Sequence, residues 1–188
     1  LYGGAGDDTL IGGPGVDLLD GGAGNDRIEA GPEDMVTGGA GNDTLVSGVS
    51  ATLAADIECL LLTGSDDIDG TGNALANVLV GNAGINILIG GRGSDLYVIQ
   101  TIGDTVIEVG GEGNDTVSSS ISFVLPNAVE NLILTGLDPL SGTGNTLANR
   151  LEGNAAANRL EGGRGSDTLI GWGGADTLVF SGESGADL

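Results

Sequence analysis

Aliphatic residues recur at a nearly fixed interval along the first quarter of the chain. Leu10, Leu19 and Ile28 follow one another at a nine-residue spacing, and Val36 and Leu45 continue the series after one shorter interval. Each sits in the middle of a short run that is too brief for a helix but is typical of a short strand whose central side chain points inward. The pattern predicts brief strands that bury a single aliphatic stripe.

The residues between these aliphatic positions also repeat. Residues 3–11 read Gly-Gly-Ala-Gly-Asp-Asp-Thr-Leu-Ile, and residues 12–20 and 21–29 are tandem copies. Three glycines in four positions allow positive φ and close approach of carbonyl groups, so this half of each unit must be a turn. Alternating turns and strands predict an all-β solenoid in which each nine-residue unit is half a coil.

The aspartates occupy the sixth position of each unit, so the solenoid stacks them. Asp8 and Asp26 are two units apart and therefore lie one coil apart on the same edge. Two carboxylates about 5 Å apart repel by about 3 kcal/mol at an effective dielectric near 20. A cation must cancel this repulsion. Ca²⁺ fits best because it accepts 6–8 oxygen ligands in flexible geometry, whereas Mg²⁺ demands near-octahedral coordination.

This repeated nonapeptide resembles that of the repeats-in-toxin (RTX, haemolysin-type) calcium-binding family. The resemblance implies an elongated parallel β-roll that holds several Ca²⁺ ions between neighbouring turns. The implied carboxylate ligands are Asp8, Asp17, Asp26, Asp43, Asp95, Asp115, Asp167, Asp176 and Asp187. The implied turn carbonyls belong to Gly3, Gly4, Gly6, Gly12, Gly13, Gly15, Gly21, Gly22, Gly24, Gly38, Gly39 and Gly41.

A longer period organises the rest of the chain. After the tandem nonapeptides of 1–46, residues 38–109 and 110–181 align without a gap at an offset of 72, with about half of the positions identical, and 182–188 begin a third, truncated copy. We expect one continuous solenoid, with wider or irregular coils at 47–71 and 119–143, for which a separate small cap is the alternative. Asparagine-type coils follow at 72–89 and 144–161, and aspartate-type coils at 90–98 and 162–179.

Several units depart from the nonapeptide. Asparagine occupies the sixth position in the asparagine-type coils, and because it lends no charge we expect calcium-free coils held by hydrogen bonds of the asparagine side chains. A mixed site, for example Asn149 with Asp167, is the alternative. The shortened unit 30–37 predicts a distorted turn in which Asp34 is a weak ligand. Asp104 lacks neighbouring turn glycines, whereas Asp176 has them and is the better candidate.

Composition narrows the function. The chain has 38 Gly, 27 acidic residues against 5 basic ones, and a net charge of −22, which argues against a nucleic-acid or anionic-membrane partner. Such acidity is also typical of disorder, and we expect disorder without calcium and order with it. With no His and no Lys, the sequence excludes Ser-His-Asp catalysis, histidine-ligated zinc and a P-loop.

Two functional hypotheses remain. The first is a non-catalytic module of a larger bacterial protein, because the chain begins and ends within a repeat. The RTX resemblance implies export by type I secretion, folding in extracellular calcium, and a structural or adhesive role at a polysaccharide or other surface. The alternative is an accessory module or part of a secreted polysaccharide-active enzyme, similar to alginate epimerases. The scarcity of basic residues argues against direct binding of an acidic glycan.

Overall fold

The computed structural model describes residues 1–108 and 113–180, and within them the only regular elements are parallel strands. The even-numbered strands form one continuous ten-stranded sheet. They are β2 (Thr9–Ile11), β4 (Arg27–Glu29), β6 (Thr44–Ser47), β8 (Cys59–Leu62), β10 (Val78–Val80), β12 (Leu96–Ile99), β14 (Thr116–Ser119), β16 (Asn131–Leu134), β18 (Arg150–Glu152) and β20 (Thr168–Ile170).

The odd-numbered strands alternate with them along the chain and are divided among three parallel sheets. The first contains β1 (Tyr2–Ala5), β3 (Leu18–Ala23) and β5 (Met35–Ala40). The second contains β7 (Ala51–Thr52), β9 (Gly70–Thr71), β11 (Ile87–Ile89) and β13 (Thr105–Ile107), and the third β15 (Phe123–Val124), β17 (Ser141–Thr143), β19 (Arg159–Glu161) and β21 (Thr177–Val179). The all-β parallel solenoid predicted from the sequence is confirmed.

The core is a thin column of inward side chains, most of them from the strands, to which the loops add Leu53, Ile57, Ile68, Leu125 and Val129. Leu10 pairs in register with Ile28, and Ile28 with Leu45, so that one inward residue lies above the next. Leu19 and Ile28 are fully buried, while Val36 is only partly buried. Three-residue strands suffice because each backbone bonds to neighbours on both sides, and the central side chain alone needs an apolar environment.

The length of a turn varies within the longer period. Leu45 pairs with Leu60, which lies fewer residues further along the chain than two nonapeptides would require, and Leu60 pairs with Leu79. The first turn of segment 47–71 is thus shorter than a regular coil rather than wider, whereas the second is slightly longer. Segment 119–143 has the same short turn, because Val117 pairs with Leu132.

A local bend explains the short turns and the interrupted sheets. The Ser47 hydroxyl donates to the Val49 carbonyl at 2.9 Å and accepts from its N–H at 3.2 Å, and Ser119 makes the same pair of bonds to Ile121. The bend leaves room for only two-residue strands, β7 and β15. Both breaks between the odd-numbered sheets fall immediately before these strands.

Candidate metal centre

One row of carboxylates runs along the turns that lead from odd-numbered to even-numbered strands, which we call the first rim. The Asp8 N–H donates to Oδ1 of Asp26 at 2.8 Å, and the Asp26 N–H donates to Oδ1 of Asp43 at 2.8 Å. The Asp43 N–H then donates to Oε2 of Glu58 at 2.8 Å. One carboxylate oxygen of Asp26, Asp43 and Glu58 is therefore used to hold the preceding turn in register.

The same arrangement recurs further along the first rim. The backbone N–H groups of Asn77, Asp95 and Asp115 donate to the carboxylates of Asp95, Asp115 and Glu130, respectively, at 2.7–2.8 Å. Glu58 and Glu130 occupy the first-rim place in the short turns, where the backbone is displaced and the longer side chain still reaches the N–H one turn back. These two glutamates therefore act as acceptors for backbone groups.

The other carboxylate oxygen is buried and points into the turn. Among the described residues, no group donates a hydrogen bond to Oδ2 of Asp8, Asp17, Asp26, Asp43 or Asp95. A buried acceptor without a partner is costly, and a buried charge far more so. These atoms are the strongest structural indication of a ligand that the protein atoms do not include.

Backbone carbonyls converge on the same places. A Cβ added at Gly38 would lie 2.6 Å from both Oδ2 of Asp43 and the Asp56 carbonyl oxygen, and one at Gly21 would strike Asp26 and the Gly38 carbonyl. The first glycine of each unit, which includes Gly3 and Gly12, therefore leaves space for oxygens from two successive turns. None of these four first glycines has positive φ, so space rather than backbone conformation requires glycine there.

The glycines at the second and fourth positions of each unit have a different role. Gly22 has a φ of 104°, and an added Cβ would overlap the Gly4 carbonyl of the preceding turn. These positive-φ positions allow successive turns to stack with carbonyl groups in close contact. The predicted members with positive φ are Gly4, Gly6, Gly13, Gly15, Gly22, Gly24, Gly39 and Gly41.

The opposite turns, leading from even-numbered to odd-numbered strands, form the second rim and are less uniform. Asp17 donates its N–H to Oδ1 of Asp34 at 2.9 Å, but Oδ2 of Asp34 accepts the Gly31 N–H at 2.7 Å. Asp104 similarly accepts the backbone N–H groups of Asn86, Gln100 and Thr101. Backbone donors already occupy both oxygens of Asp34 and Asp104, as expected for poor metal ligands.

The remaining predicted aspartates are placed as follows. Oδ1 of Asp167 accepts the Asn149 N–H at 2.9 Å on the first rim, and Oδ1 of Asp176 accepts the Asn158 N–H at 2.9 Å on the second. Oδ2 of Asp176 lies over Gly171, and a Cβ added to Gly171 would clash with it. Asp187 falls outside the described residues.

The asparagine-type coils satisfy their own carbonyls. The Asn77 amide donates to the carbonyls of Ile57 and Glu58 at 3.3 Å, while its oxygen accepts the Asn73 N–H at 2.7 Å. The Asn149 amide makes equivalent bonds in the second copy of the long period. The Asn77 oxygen lies over Gly72 as Oδ2 of Asp26 lies over Gly21, but it is neutral and already accepts a backbone N–H. That these coils bind no ion stays a prediction.

Burial raises the pKa of several first-rim acids. It raises the pKa of Asp95 to about 6, with a hydrogen bond from Asn77 acting in the opposite direction and repulsion from Asp115 adding to the increase. Burial likewise raises the pKa of Asp43, and the charges of Asp26 and Glu58 contribute. Both shifts have the cause expected where negative charges are removed from water without a counter-charge.

Three acids come together at one place on the first rim. Carboxylate oxygens of Asp95, Glu108 and Asp115 all lie within 4.8 Å of one another, and this is the one group of at least three potential ligands found among residues 1–108 and 113–180. Sequence reasoning missed Glu108. Glu108 lies 18 residues, or two nonapeptide lengths, after Gly90, at the place where a regular unit would have its first glycine. This spacing was the sequence signal that could have identified it.

The site residues fit a hard divalent cation. Every candidate ligand atom is a carboxylate or carbonyl oxygen, which suits Ca²⁺ and excludes the sulfur and imidazole donors typical of zinc. Twice a Ca–O distance of about 2.4 Å gives about 5 Å between opposed ligands, so oxygens within 4.8 Å can share one ion. Fold and site together define a calcium-binding β-roll.

Comparison with known families gives the same class. The model of the RTX calcium-binding nonapeptide repeat matches in four copies, at residues 1–32, 33–49, 71–98 and 143–178, which together cover more than half of the chain. The chain belongs to this family, whose repeats bind calcium and are structural rather than catalytic. No curated protein and no solved structure matches it. No helix in the described part is long and apolar enough to cross a membrane.

Proposed function

We propose that this chain is the calcium-dependent folding module of a larger secreted bacterial protein, in which it serves as a structural or adhesive element. The observation that carries this proposal is the row of buried Oδ2 atoms without hydrogen-bond donors among the described residues. A chain that needed no ion would satisfy these oxygens internally, as the asparagine-type coils do, where the side-chain oxygens of Asn77 and Asn86 accept backbone N–H groups. Bound Ca²⁺ supplies the positive charge that cancels their repulsion.

The ligand set that we propose follows the geometry of the rims. Asp8, Asp26, Asp43, Asp95, Asp115 and Asp167 would bind ions along the first rim, and Asp17 and Asp176 along the second, together with the carbonyls of the turn glycines. All of these first-rim acids after Asp8 keep their other carboxylate oxygen on a backbone N–H, which holds the ligand oxygen in place. Asp187, which lies outside the described residues, is proposed as a further ligand from its sequence position alone.

Calcium dependence of folding follows from the chain's energetics. Ordering the backbone costs roughly 1–2 kcal/mol per residue, and glycine, which accounts for 38 positions, loses the most conformational freedom. The thin core, to which each strand contributes at most two buried hydrophobic residues, offsets only part of this cost, and the net charge of −22 opposes compaction. Ligands that bind only the folded state then decide whether it forms.

These properties suit export followed by folding. At low cytosolic calcium the chain would remain extended enough to pass a type I secretion channel, and millimolar extracellular calcium would then order it. Folding that is triggered by extracellular calcium requires no catalytic residue in the module. Any activity beyond this structural or adhesive role would belong to the remainder of the protein.

Circular dichroism of the chain during calcium titration tests the proposal. We expect a coil spectrum in excess chelator and a cooperative gain of β-structure on adding Ca²⁺, with Mg²⁺ much less effective because it demands octahedral geometry. A matched titration with NaCl controls for simple screening of the net charge. Full β-structure in chelator, or equal responses to Ca²⁺ and NaCl, would overturn the proposal.

A further inference from the structure

The site around Gly90 differs from the other first-rim sites in what its first glycine faces. At Gly21 and Gly38 an added Cβ would meet the aspartate of the same unit and a backbone carbonyl from the next turn. At Gly90 it would meet Oδ2 of Asp95, the Tyr97 hydroxyl and Oε1 of Glu108, all of which are side-chain oxygens. A charged oxygen therefore takes the place of a neutral carbonyl.

The fold explains how Glu108 reaches this place. Ile89 of β11 pairs with Ile107 of β13, so the residues that follow them, Gly90 and Glu108, lie at equivalent points one turn apart. From there the Glu108 carboxylate accepts a hydrogen bond from the hydroxyl of Tyr97. Tyr97 is fully buried at the centre of β12, so its ring spans the solenoid interior.

We propose that Glu108 is an additional, non-repeat Ca²⁺ ligand that makes the site between Asp95 and Asp115 a three-carboxylate centre. This inference deepens the proposed calcium binding and rests on it. The oxygens of the three acids lie within 4.8 Å of one another. Asp95 is only 2% exposed, and its Oδ2, which points at the same spot over Gly90, accepts no hydrogen bond from the described residues.

The second copy of the long period provides an internal comparison. Gly162, Asp167 and Asp187 correspond to Gly90, Asp95 and Asp115, but Leu169 and Phe180 replace Tyr97 and Glu108. The tyrosine and the glutamate are thus present together in one copy and replaced together by apolar residues in the other. A third carboxylate places three negative charges around the ion, so this site should bind Ca²⁺ most tightly and favour trivalent lanthanides further.

Terbium luminescence of the full chain tests the assignment, because Tb³⁺ takes oxygen ligands like Ca²⁺ and is sensitised by a nearby tyrosine. In a Tyr2→Phe, Trp172→Phe background, Tyr97 is the one remaining tyrosine or tryptophan. We expect emission that saturates with one Tb³⁺ and is displaced by Ca²⁺. Adding Glu108→Gln should raise the half-saturating Tb³⁺ concentration at least about tenfold, since even outer-shell changes cost about 10–100-fold.

Glu33→Gln is the matched control, since it removes one charge from an exposed glutamate and should leave half-saturation unchanged. Equal half-saturation for Glu108→Gln and Glu33→Gln, or no emission from the background chain, would overturn the assignment. If circular dichroism shows that Glu108→Gln does not fold, Glu108→Asp decides. Glu108→Asp keeps the negative charge but has a side chain shorter by one methylene, so its carboxylate lies farther from the site. An unchanged half-saturating Tb³⁺ concentration for this variant would also overturn the assignment. Absence of Ca²⁺ binding by the wild type would instead refute the proposed function itself.

Discussion

Replacing Asp26 by asparagine changes one carboxylate oxygen to an amide nitrogen, and this single change perturbs two neighbouring metal sites. Asp26 lies between Asp8 and Asp43 on the first rim, and its Oδ1 accepts the Asp8 N–H at 2.8 Å. Asparagine retains this oxygen, so the register between turns is kept. Its amide replaces Oδ2, the buried oxygen that lacks a donor among the described residues, and the ions on both sides would each lose a charged ligand.

The magnitude follows from the number of sites affected. Loss of an outer-shell partner already weakens metal binding by about 10–100-fold, so loss of a direct ligand should cost at least about tenfold at each site. Each factor of ten is about 1.4 kcal/mol, and two sites therefore lower the stability of the calcium-bound state by about 3 kcal/mol or more. Calorimetry should show two weakened ions, and the calcium midpoint of folding should rise.

Asp7→Asn is the matched control for this substitution. It removes the same charge from an exposed position in the same stack, where the carboxylate accepts the Asn25 N–H at 2.7 Å. Asn25 itself accepts the Asn42 N–H in the next turn, so asparagine is compatible with this place. Equal calorimetric losses for Asp7→Asn and Asp26→Asn would refute the assignment of Oδ2 as a ligand and leave only general charge effects.

Three further predictions follow from the rims. Gly21→Ala should abolish an ion by filling its site, whereas Gly31→Ala, whose Cβ would sit 3.6 Å from Asp34, should leave the calorimetric stoichiometry unchanged. Asn86→Ala should also preserve stoichiometry while lowering the free energy of unfolding by roughly 2–3 kcal/mol, because it removes amide bonds to Ile68 and Asn82. The pKa of Asp95 is raised to about 6 in the metal-free folded chain. Its contribution to metal-free stability is therefore greatest below about pH 4 and is lost as pH rises through about 6. Protons compete with Ca²⁺ over the same range, so chelator-buffered titrations should show weaker binding at about pH 5 than at about pH 7; equal binding would contradict this.

The periodic features of the fold could be predicted from the sequence because they depend on local constraints that repeat. The central aliphatic residues Leu10, Leu19 and Ile28 are buried as the nine-residue spacing requires. The offset of two nonapeptides places Asp8 and Asp26 one turn apart. In this architecture glycine is required by the turn, aspartate by the stacked carboxylates and the aliphatic residue by the core. Because each residue type meets a separate requirement, their combined spacing specifies the coil.

The irregular features could not be predicted, since they depend on contacts between distant residues. The short turn arises from a bend made by the Ser47 hydroxyl, and although serine recurs at Ser119, the nonapeptide pattern does not indicate that the hydroxyl bends the chain. Glu108 belongs to no nonapeptide, and although its spacing from Gly90 is a signal in the sequence, only the register of β13 shows that its carboxylate lies over Gly90. Whether a given oxygen is available to a metal likewise depends on its donors, as the doubly occupied carboxylate of Asp34 shows.

Anomalous diffraction from crystals of the chain grown with Ca²⁺ and soaked in Tb³⁺ would test the central claim most directly. The account predicts metal peaks along the first rim, between Asp8 and Asp26 and between Asp26 and Asp43, and none beside Asn77 or Asn86. Peaks beside the asparagines, or a first rim without metal whose Oδ2 atoms turn outward to water, would contradict it.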